Sequence, residues 1–174
     1  FINFYGDVEL IPTYFTYNNF TNVYNDLKVK VVSSISMFYD LPDPVQFAKD
    51  IYDILDDDGI WTCEQSYIVT MIERNSLDTI CHEHLEYYGL KQMKRIADEV
   101  GFNIIDVKFN DCNGGSFRVY FSKNRTLENK NLPKDSVSLK DFKDFIKRVD
   151  DQVYRLKTFL EREHGDTYIY GAST

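Results

Sequence analysis

The sequence predicts an α/β fold with a mostly parallel sheet, and three observations predict it. Short apolar runs typical of strands alternate with segments whose apolar residues recur at helical spacing. Two strand-like runs, 103–109 and 117–122, flank a glycine-rich turn, which is typical of an antiparallel hairpin. A long amphipathic segment begins at Ser138. Because alternating strands and helices form parallel sheets covered on both faces, we expect such a sheet, ending in a hairpin and followed by a long helix.

The first half of the chain alternates between the two kinds of element. Three apolar runs predict strands, the second of them buried: 8–12, 30–37 and 60–65. Residues 18–28 predict a short helix. Asp43 and Pro44 predict the start of another, because Asp is a good N-cap and Pro fits the first helical position. The run 56–59, three aspartates and a glycine, is interpreted as a solvated turn rather than a metal site.

The second half continues the pattern. Residues 68–75 predict a short helix or a loop, and 90–100 predict a helix that stops at Gly101. The paired glycines of 113–116 are typical of a turn with positive φ, although close approach of the backbone to a ligand is the functional alternative. Further predictions are a polar linker, an amphipathic packing helix and a last strand: 123–137, 138–164 and from 168 onward.

Composition limits the classes of function. A chain of 174 residues is long enough for a substantial core, and 13 Tyr and 13 Phe suit a pocket-rich enzyme or a well-filled core. The net charge of -8 argues against a nucleic-acid partner, and no apolar run reaches the length of a membrane span. Three cysteines without a CxxC pair favour reduced thiols and a cytoplasmic location. The chain starts without Met and stops just after a strand-like run, so we expect a piece of a longer protein.

The most informative segment is Cys81-His82-Glu83-His84, which holds two of the three histidines. Imidazole titrates near neutral pH, so a histidine beside a carboxylate suits proton abstraction from a carbon acid. Zinc is a poor alternative, since the helical metal motif needs histidines at i and i+4. A loop whose histidines only satisfy backbone carbonyls remains the other interpretation.

Five segments together resemble the S-adenosylmethionine (SAM)-dependent sugar C-methyltransferase family. They match it in order and at compatible spacing across nearly the whole chain: 36–44, 55–61, 77–88, 113–118 and 170–172. The resemblance implies a class I methyltransferase (Rossmann-like) fold and methylation of a ring carbon in a nucleotide-linked keto-deoxysugar. It implies SAM as the cofactor, and zinc only in an N-terminal module. This chain is expected to lack that module, and also to lack the glycine-rich loop that holds the methionine part of SAM.

The same resemblance assigns site residues. His84 matches the proposed catalytic base of the family, which removes the C3 proton beside a C4 ketone, and Glu83 matches a residue close to the sugar that orients the base or binds a hydroxyl. Four residues are predicted to contact the substrate: Cys81, His82, Asp40 and Tyr88. Four are predicted to contact the cofactor: Tyr14, Phe15, Ser36 and Met37. This chain departs from the family at three positions, with Cys81 where Tyr is frequent, and Ser36 and Asp40 where many members have Asn and His.

These predictions divide the chain into three parts. Residues 1–122 are expected to be the C-terminal half of the methyltransferase domain, 123–137 a linker, and 138–174 a connecting helix with the first strand of a further α/β domain. The isolated piece is expected to be inactive. Two alternatives stay open: a methyltransferase for another small carbon acid or for oxygen or nitrogen, and a non-catalytic binding fragment with structural histidines. No oligomeric state is predicted.

Overall fold

The computed structural model describes residues 9–135 and 137–168, and within them the elements alternate as predicted. The helices are α1 (Tyr17–Tyr24), α2 (Pro44–Ile54), α3 (Ile68–Arg74), α4 (Leu90–Val100) and α5 (Leu139–Arg162). The strands are β1 (Val29–Ile35), β2 (Leu55–Ser66), β3 (Asn103–Asn110) and β4 (Ser116–Ser122). None of the helices in these two ranges is both long enough and apolar enough to cross a membrane.

The four strands form one mixed sheet in the order β1-β2-β4-β3. β1 pairs with β2 in parallel, and β4 pairs antiparallel with both β2 and β3. Three strands therefore run in one direction and only β4 runs in the other. This arrangement confirms the predicted α/β fold, with its mostly parallel strand direction and its hairpin of β3 and β4 at the sheet edge.

An aromatic core lies between the sheet and the helices. Trp61 on β2 is fully buried and stacks on Phe121 of β4, with ring centroids 4.5 Å apart. Its indole N–H donates to the Ser34 hydroxyl across 3.0 Å, so the one polar atom of the ring is satisfied inside the core. α2 and α4 pack against each other above this layer. The Trp61 side chain thus links β2 to both β4 and β1, and the carboxyl end of β1 carries the site described below.

α5 packs through its first half. The Ser138 hydroxyl caps the helix, and Phe145 is buried against Met71 and Ile72 of α3. Arg148 Nη2 donates to the Ile72 carbonyl across 2.6 Å. The predicted packing face is confirmed for Phe142, Phe145 and Val149, whereas Ile146 and the apolar side chains farther along the helix are exposed: Val153, Leu156, Phe159 and Leu160.

Three details of the predicted strands are wrong. Residues 9–12 form no strand, and Val8 lies outside the described residues. β1 is the edge strand of the described sheet, so Ser34 is its one buried residue instead of the whole strand. The three aspartates lie inside β2 rather than in a turn, because Lys30 of β1 forms ion pairs with Asp56 and Asp58 across a bulge.

The segment predicted as a linker is attached to the domain. The Asn129 amide donates to the Ile104 carbonyl across 3.0 Å, and the Asp135 carboxylate accepts from the Tyr67 hydroxyl and, across 3.0 Å, from the Lys91 amide. The Lys91 contact caps the start of α4. The strand predicted from residue 168 lies almost entirely outside the described residues, since the structure describes only Tyr168 of that segment, in no strand.

Candidate functional site

A cavity of about 630 Å³ lies where β1 ends and α1 and α2 begin. Ligands of open α/β sheets bind at the carboxyl ends of the strands, so its position is the expected one. Tyr14, Phe15 and Met37, three of the four predicted cofactor contacts, line it, and so does Asp40. Ser36, the fourth, is not among the lining residues.

The walls of the cavity are aromatic on one side. Phe15 meets Phe47 of α2 edge to face, with centroids 5.4 Å apart, and Phe47 in turn contacts the buried Phe38 at 5.9 Å. The Thr16 hydroxyl, next to Phe15, accepts from the Asn19 amide and caps α1. The capped helix and the buried ring hold Phe15 in place, which gives the cavity a fixed flat surface for a planar group.

Three carboxylates line the same cavity: Asp40, Asp43 and Asp50. Asp43 caps α2 by accepting from the Gln46 amide across 2.9 Å, and Asp50 accepts from the Gln46 side chain across 2.8 Å. Burial raises the pKa of Asp40, which the charge of His84 lowers and the charge of Glu83 raises. The charge of Asp40 therefore interacts with the charges of His84 and Glu83.

The imidazole of His84 is oriented by a backbone carbonyl. Its Nδ1 lies 2.7 Å from the Thr79 carbonyl oxygen, and Thr79 is buried. A carbonyl oxygen can only accept, so in the neutral imidazole Nδ1 carries the proton and Nε2 keeps its lone pair. The imidazole is half-buried and its ring centroid is 4.1 Å from that of Tyr39. His84 thus has the tautomer that a base acting through Nε2 requires.

The other two charged residues of the motif face solvent. The side chain of His82 is 89 % exposed and that of Glu83 is 61 % exposed, and their closest charged atoms are 3.9 Å apart. Glu83 therefore lies beside His82, while the Thr79 carbonyl orients His84. His82 is exposed to solvent and is not among the described residues that line the cavity.

The remaining predicted contact residues are not among those that line the cavity. Tyr88 is 4 % exposed, and its ring lies 5.3 Å from that of Phe38 in the core, where burial raises the pKa of its phenol. Cys81 is half-buried, and its backbone amide faces the Tyr87 phenol. Ser36 has φ 51° and its amide donates to the Glu64 carbonyl across 2.8 Å, which turns the chain at the end of β1. These residues shape the site from outside the cavity.

The paired glycines allow a backbone conformation that residues with a side chain rarely adopt. Gly114 and Gly115 have φ of 79° and 128°, and a Cβ atom on Gly115 would lie 2.5 Å from Thr70 Oγ1. The Gly115 carbonyl accepts from the Tyr67 amide across 3.1 Å and from the Thr70 hydroxyl across 3.2 Å. The turn is thus packed against α3, the helix that leads to the histidine motif, and the interpretation by positive φ is confirmed.

Sequence reasoning missed Tyr39, Thr79 and Phe47. Phe47 belongs to the apolar face of α2, whose helical spacing could have assigned it to the sheet-facing side. Nothing in the local sequence indicates that Thr79 would offer its carbonyl or Tyr39 its ring to His84. Both contacts form only in the folded chain, where two separate turns come together around His84.

The fold and the cavity define an α/β domain with a cavity at the carboxyl end of its strand β1. Residues 8–107 match the family model described as "Methyltransferase domain". The match covers more than half of the chain, and the chain belongs to this family.

Among curated proteins, the C-methyltransferase NovU of Streptomyces niveus is 30 % identical over 91 residues, which are 52 % of this chain and 22 % of that protein. The chain thus spans less than a quarter of the length of the relative it matches. Among solved structures, the Bacillus halodurans protein BH2331 is similar with a TM-score of 0.45 and 12 % identity, covering 68 % of this chain and 69 % of that one. The plantazolicin methyltransferase BpumL, in complex with SAH and a pentazolic desmethylPZN analogue, has a TM-score of 0.44 and 9 % identity, covering 58 % and 55 %.

Proposed function

We propose that this chain is part of a SAM-dependent C-methyltransferase that acts on a nucleotide-linked keto-deoxysugar, with His84 as the base. The observation that carries the proposal is the orientation of His84: its Nδ1 contacts the Thr79 carbonyl, so in the neutral imidazole Nε2 carries the lone pair, and its charge interacts with that of Asp40, which lines the cavity. The similarity to the C-methyltransferase NovU and the family-like segments around His84 support carbon as the acceptor atom and a sugar as the substrate.

The cavity fits the cofactor that the family implies. SAM combines a planar adenine with a positively charged sulfonium, and it supplies an electrophilic methyl group. Phe15 and Phe47, which meet edge to face, each offer an apolar ring against which an adenine can pack, and Tyr14 also lines the cavity. Asp40, Asp43 and Asp50 give the cavity the negative charge that attracts a cation. Met37 completes the apolar lining on the β1 side.

The chemistry of the chain's own residues is a proton transfer. His84 Nε2 takes the proton from the carbon next to the ketone, and the electron pair of the broken C–H bond stays on the substrate as an enolate. The imidazolium that forms keeps its Nδ1–H on the Thr79 carbonyl, whose partial negative charge stabilises it. Asp40 and Glu83 add negative charge nearby. The base therefore needs no rearrangement to accept the proton.

Proton exchange in deuterated water tests the proposal in the full-length protein. A base at His84 should exchange the C3 proton of a nucleotide-linked 4-keto-deoxysugar for deuterium, as followed by NMR. His84→Asn should abolish the exchange, whereas the same change at the exposed His164 should not alter it.

Three results would contradict the proposal. Methylation of an oxygen or nitrogen acceptor without exchange at carbon would favour a methyltransferase of another class. Exchange that survives in His84→Asn would remove His84 as the base. Calorimetry that detects no heat when S-adenosylhomocysteine is added to the full-length protein would favour a non-catalytic binding fragment.

A further inference from the structure

Tyr39 holds the histidine loop at two points. It lies in the short 3-10 turn Phe38–Asp40 that follows β1, and it is 8 % exposed. Its carbonyl oxygen accepts from the amides of Leu85 and Glu86, across 2.9 and 3.1 Å. Its ring lies against the imidazole of His84, with centroids 4.1 Å apart and planes at 45°. One residue thus fixes both the backbone just after His84 and the face of its ring.

The loop needs such a contact because residues 80–89 form no helix or strand. On one side, the Thr79 carbonyl fixes the hydrogen-bonding edge of the imidazole. On the other side, the Tyr39 ring limits the tilt and the translation of the imidazole plane. Without the ring, rotation about χ1 and χ2 of His84 would be opposed mainly by the hydrogen bond to the Thr79 carbonyl.

Tyr39 also lies next to the wall of the cavity in the chain. Its chain neighbour Asp40 and the nearby Met37 line the cavity, while the Tyr39 side chain turns the other way, into the core. The segment 37–40 therefore carries the cavity wall on one side and supports His84 on the other. A shift of this segment would move both together.

We propose that Tyr39 is a positioning residue, which holds the His84 imidazole in a fixed place relative to segment 37–40, so that the base and the cavity wall are fixed by one segment of the chain. The inference rests on the proposed role of His84 as the base. It assigns to the Tyr39 ring an effect on the rate of proton transfer and on the imidazole tautomer, and none on cofactor affinity.

The test uses the full-length protein with Tyr39→Phe, Tyr39→Leu and Tyr39→Met. Phe keeps the ring and should retain kcat within about twofold, because only the hydroxyl is lost. Leu and Met keep the backbone carbonyl but lose the ring, and kcat should fall about 10- to 100-fold, as expected for a misplacement near 1 Å. The KM for SAM and the calorimetric affinity for S-adenosylhomocysteine should change less than about twofold. That is well below a tenfold change, which corresponds to about 1.4 kcal/mol.

Nitrogen-15 NMR of the His84 imidazole gives a readout that does not depend on turnover. The native protein and Tyr39→Phe should show protonated Nδ1 and unprotonated Nε2, whereas Tyr39→Leu and Tyr39→Met should show a mixture of both tautomers. The His84 signal is identified by its absence in His84→Asn.

Two results would overturn the proposal: a native kcat in both aliphatic variants, or a fall in kcat that follows a lower unfolding midpoint while the His84 spectrum stays native. Met is included because its unbranched chain fills the space with less strain, so that one aliphatic variant folds even if Leu does not. If the native protein shows no sugar exchange but the tautomer still shifts in the Leu and Met variants, the positioning role stands and the proposed reaction falls.

Discussion

The Nδ1 of His84 donates a hydrogen bond to the carbonyl oxygen of Thr79, and this bond leaves Nε2 as the atom that can accept a proton. His84→Asn should therefore reduce methylation about 100- to 10,000-fold, the usual contribution of a general base. Its affinity for S-adenosylhomocysteine should stay native, because the imidazole is not part of the described cavity lining. Steady-state kinetics and calorimetry on the full-length protein measure the two effects.

The two other histidines of the chain supply controls for that variant. His164→Asn, after the end of α5, should keep native kinetics. His82→Asn should lose much less activity than His84→Asn, since the His82 side chain is 89 % exposed. Equal losses at positions 82 and 84 would contradict the assignment of the base.

Asp40→Asn should weaken binding of the cofactor SAM more than binding of its product, S-adenosylhomocysteine. Asp43 and Asp50 are engaged with Gln46, so Asp40 is the cavity carboxylate most available to a ligand cation. Removing its charge should weaken binding of the sulfonium SAM about 3- to 10-fold, as expected for one charge at several ångströms in a partly solvated site. Binding of neutral S-adenosylhomocysteine should change much less.

Calorimetry with both ligands at low and high salt measures this difference. Asp53→Asn, on the exposed side of α2, is the matched control and should leave both affinities native. An equal loss for both ligands would show that Asp40 acts through shape or hydrogen bonding rather than through charge.

Gly115→Ala should destabilise the domain by about 2–3 kcal/mol, because φ of 128° disfavours any side chain and the new Cβ would meet Thr70. Gly165→Ala is the control, since φ there is 133° but nothing lies within 4 Å of the new Cβ. The difference between the two variants in urea denaturation isolates the contact with α3. Equal losses would mean that this contact contributes nothing.

The start of α5 should respond to acid. Hydrogen bonds from the Ser138 hydroxyl and amide hold the pKa of Asp141 below its ordinary value. A carboxyl with a lowered pKa in the folded state contributes stability above its unfolded pKa, near 4, and that stability is lost as the pH falls through the lower folded value. Asp141→Asn should therefore be less stable than the native protein at pH 7, and the gap should close below about pH 4.

Thermal unfolding between pH 7 and pH 3 follows this gap. Asp151→Asn, in the middle of the same helix, should show no comparable pH-dependent difference from the native protein. A gap of constant size for Asp141→Asn across this range would contradict the capping role of the carboxylate.

The fold was largely predictable because local signals and tertiary packing agree. Asp43 and Pro44 mark the start of α2, Gly101 ends α4, and the two glycines at the hairpin turn have the positive φ that their sequence suggests. The bulge in β2 could not be predicted, since three adjacent aspartates favour a turn until Lys30 from another strand pairs with them.

The site was predictable only in part. Met37 and Asp40 line the cavity because they follow β1, and position after a strand is readable from sequence. Tyr14 and Phe15 follow residues 9–12, which form no strand, and line the cavity just before α1 begins. The family resemblance singled out His84, but the local residues alone did not separate it from His82, because the difference depends on which of two nearly adjacent side chains turns toward Thr79 and Tyr39. The role of each site residue stays a prediction until the variants above are measured.

The contacts that hold α3 have a consequence for the order of folding. The Tyr67 amide, at the start of α3, bonds to Gly115, and the Ile72 carbonyl bonds to Arg148, which lies 76 residues farther along the chain. Such distant partners meet slowly, because long loops must close first. We expect α3 to settle only once the hairpin and α5 are in place. The histidine loop, which follows α3, should be among the last parts to order, and a ribosome-bound chain should lack this site until α5 has emerged.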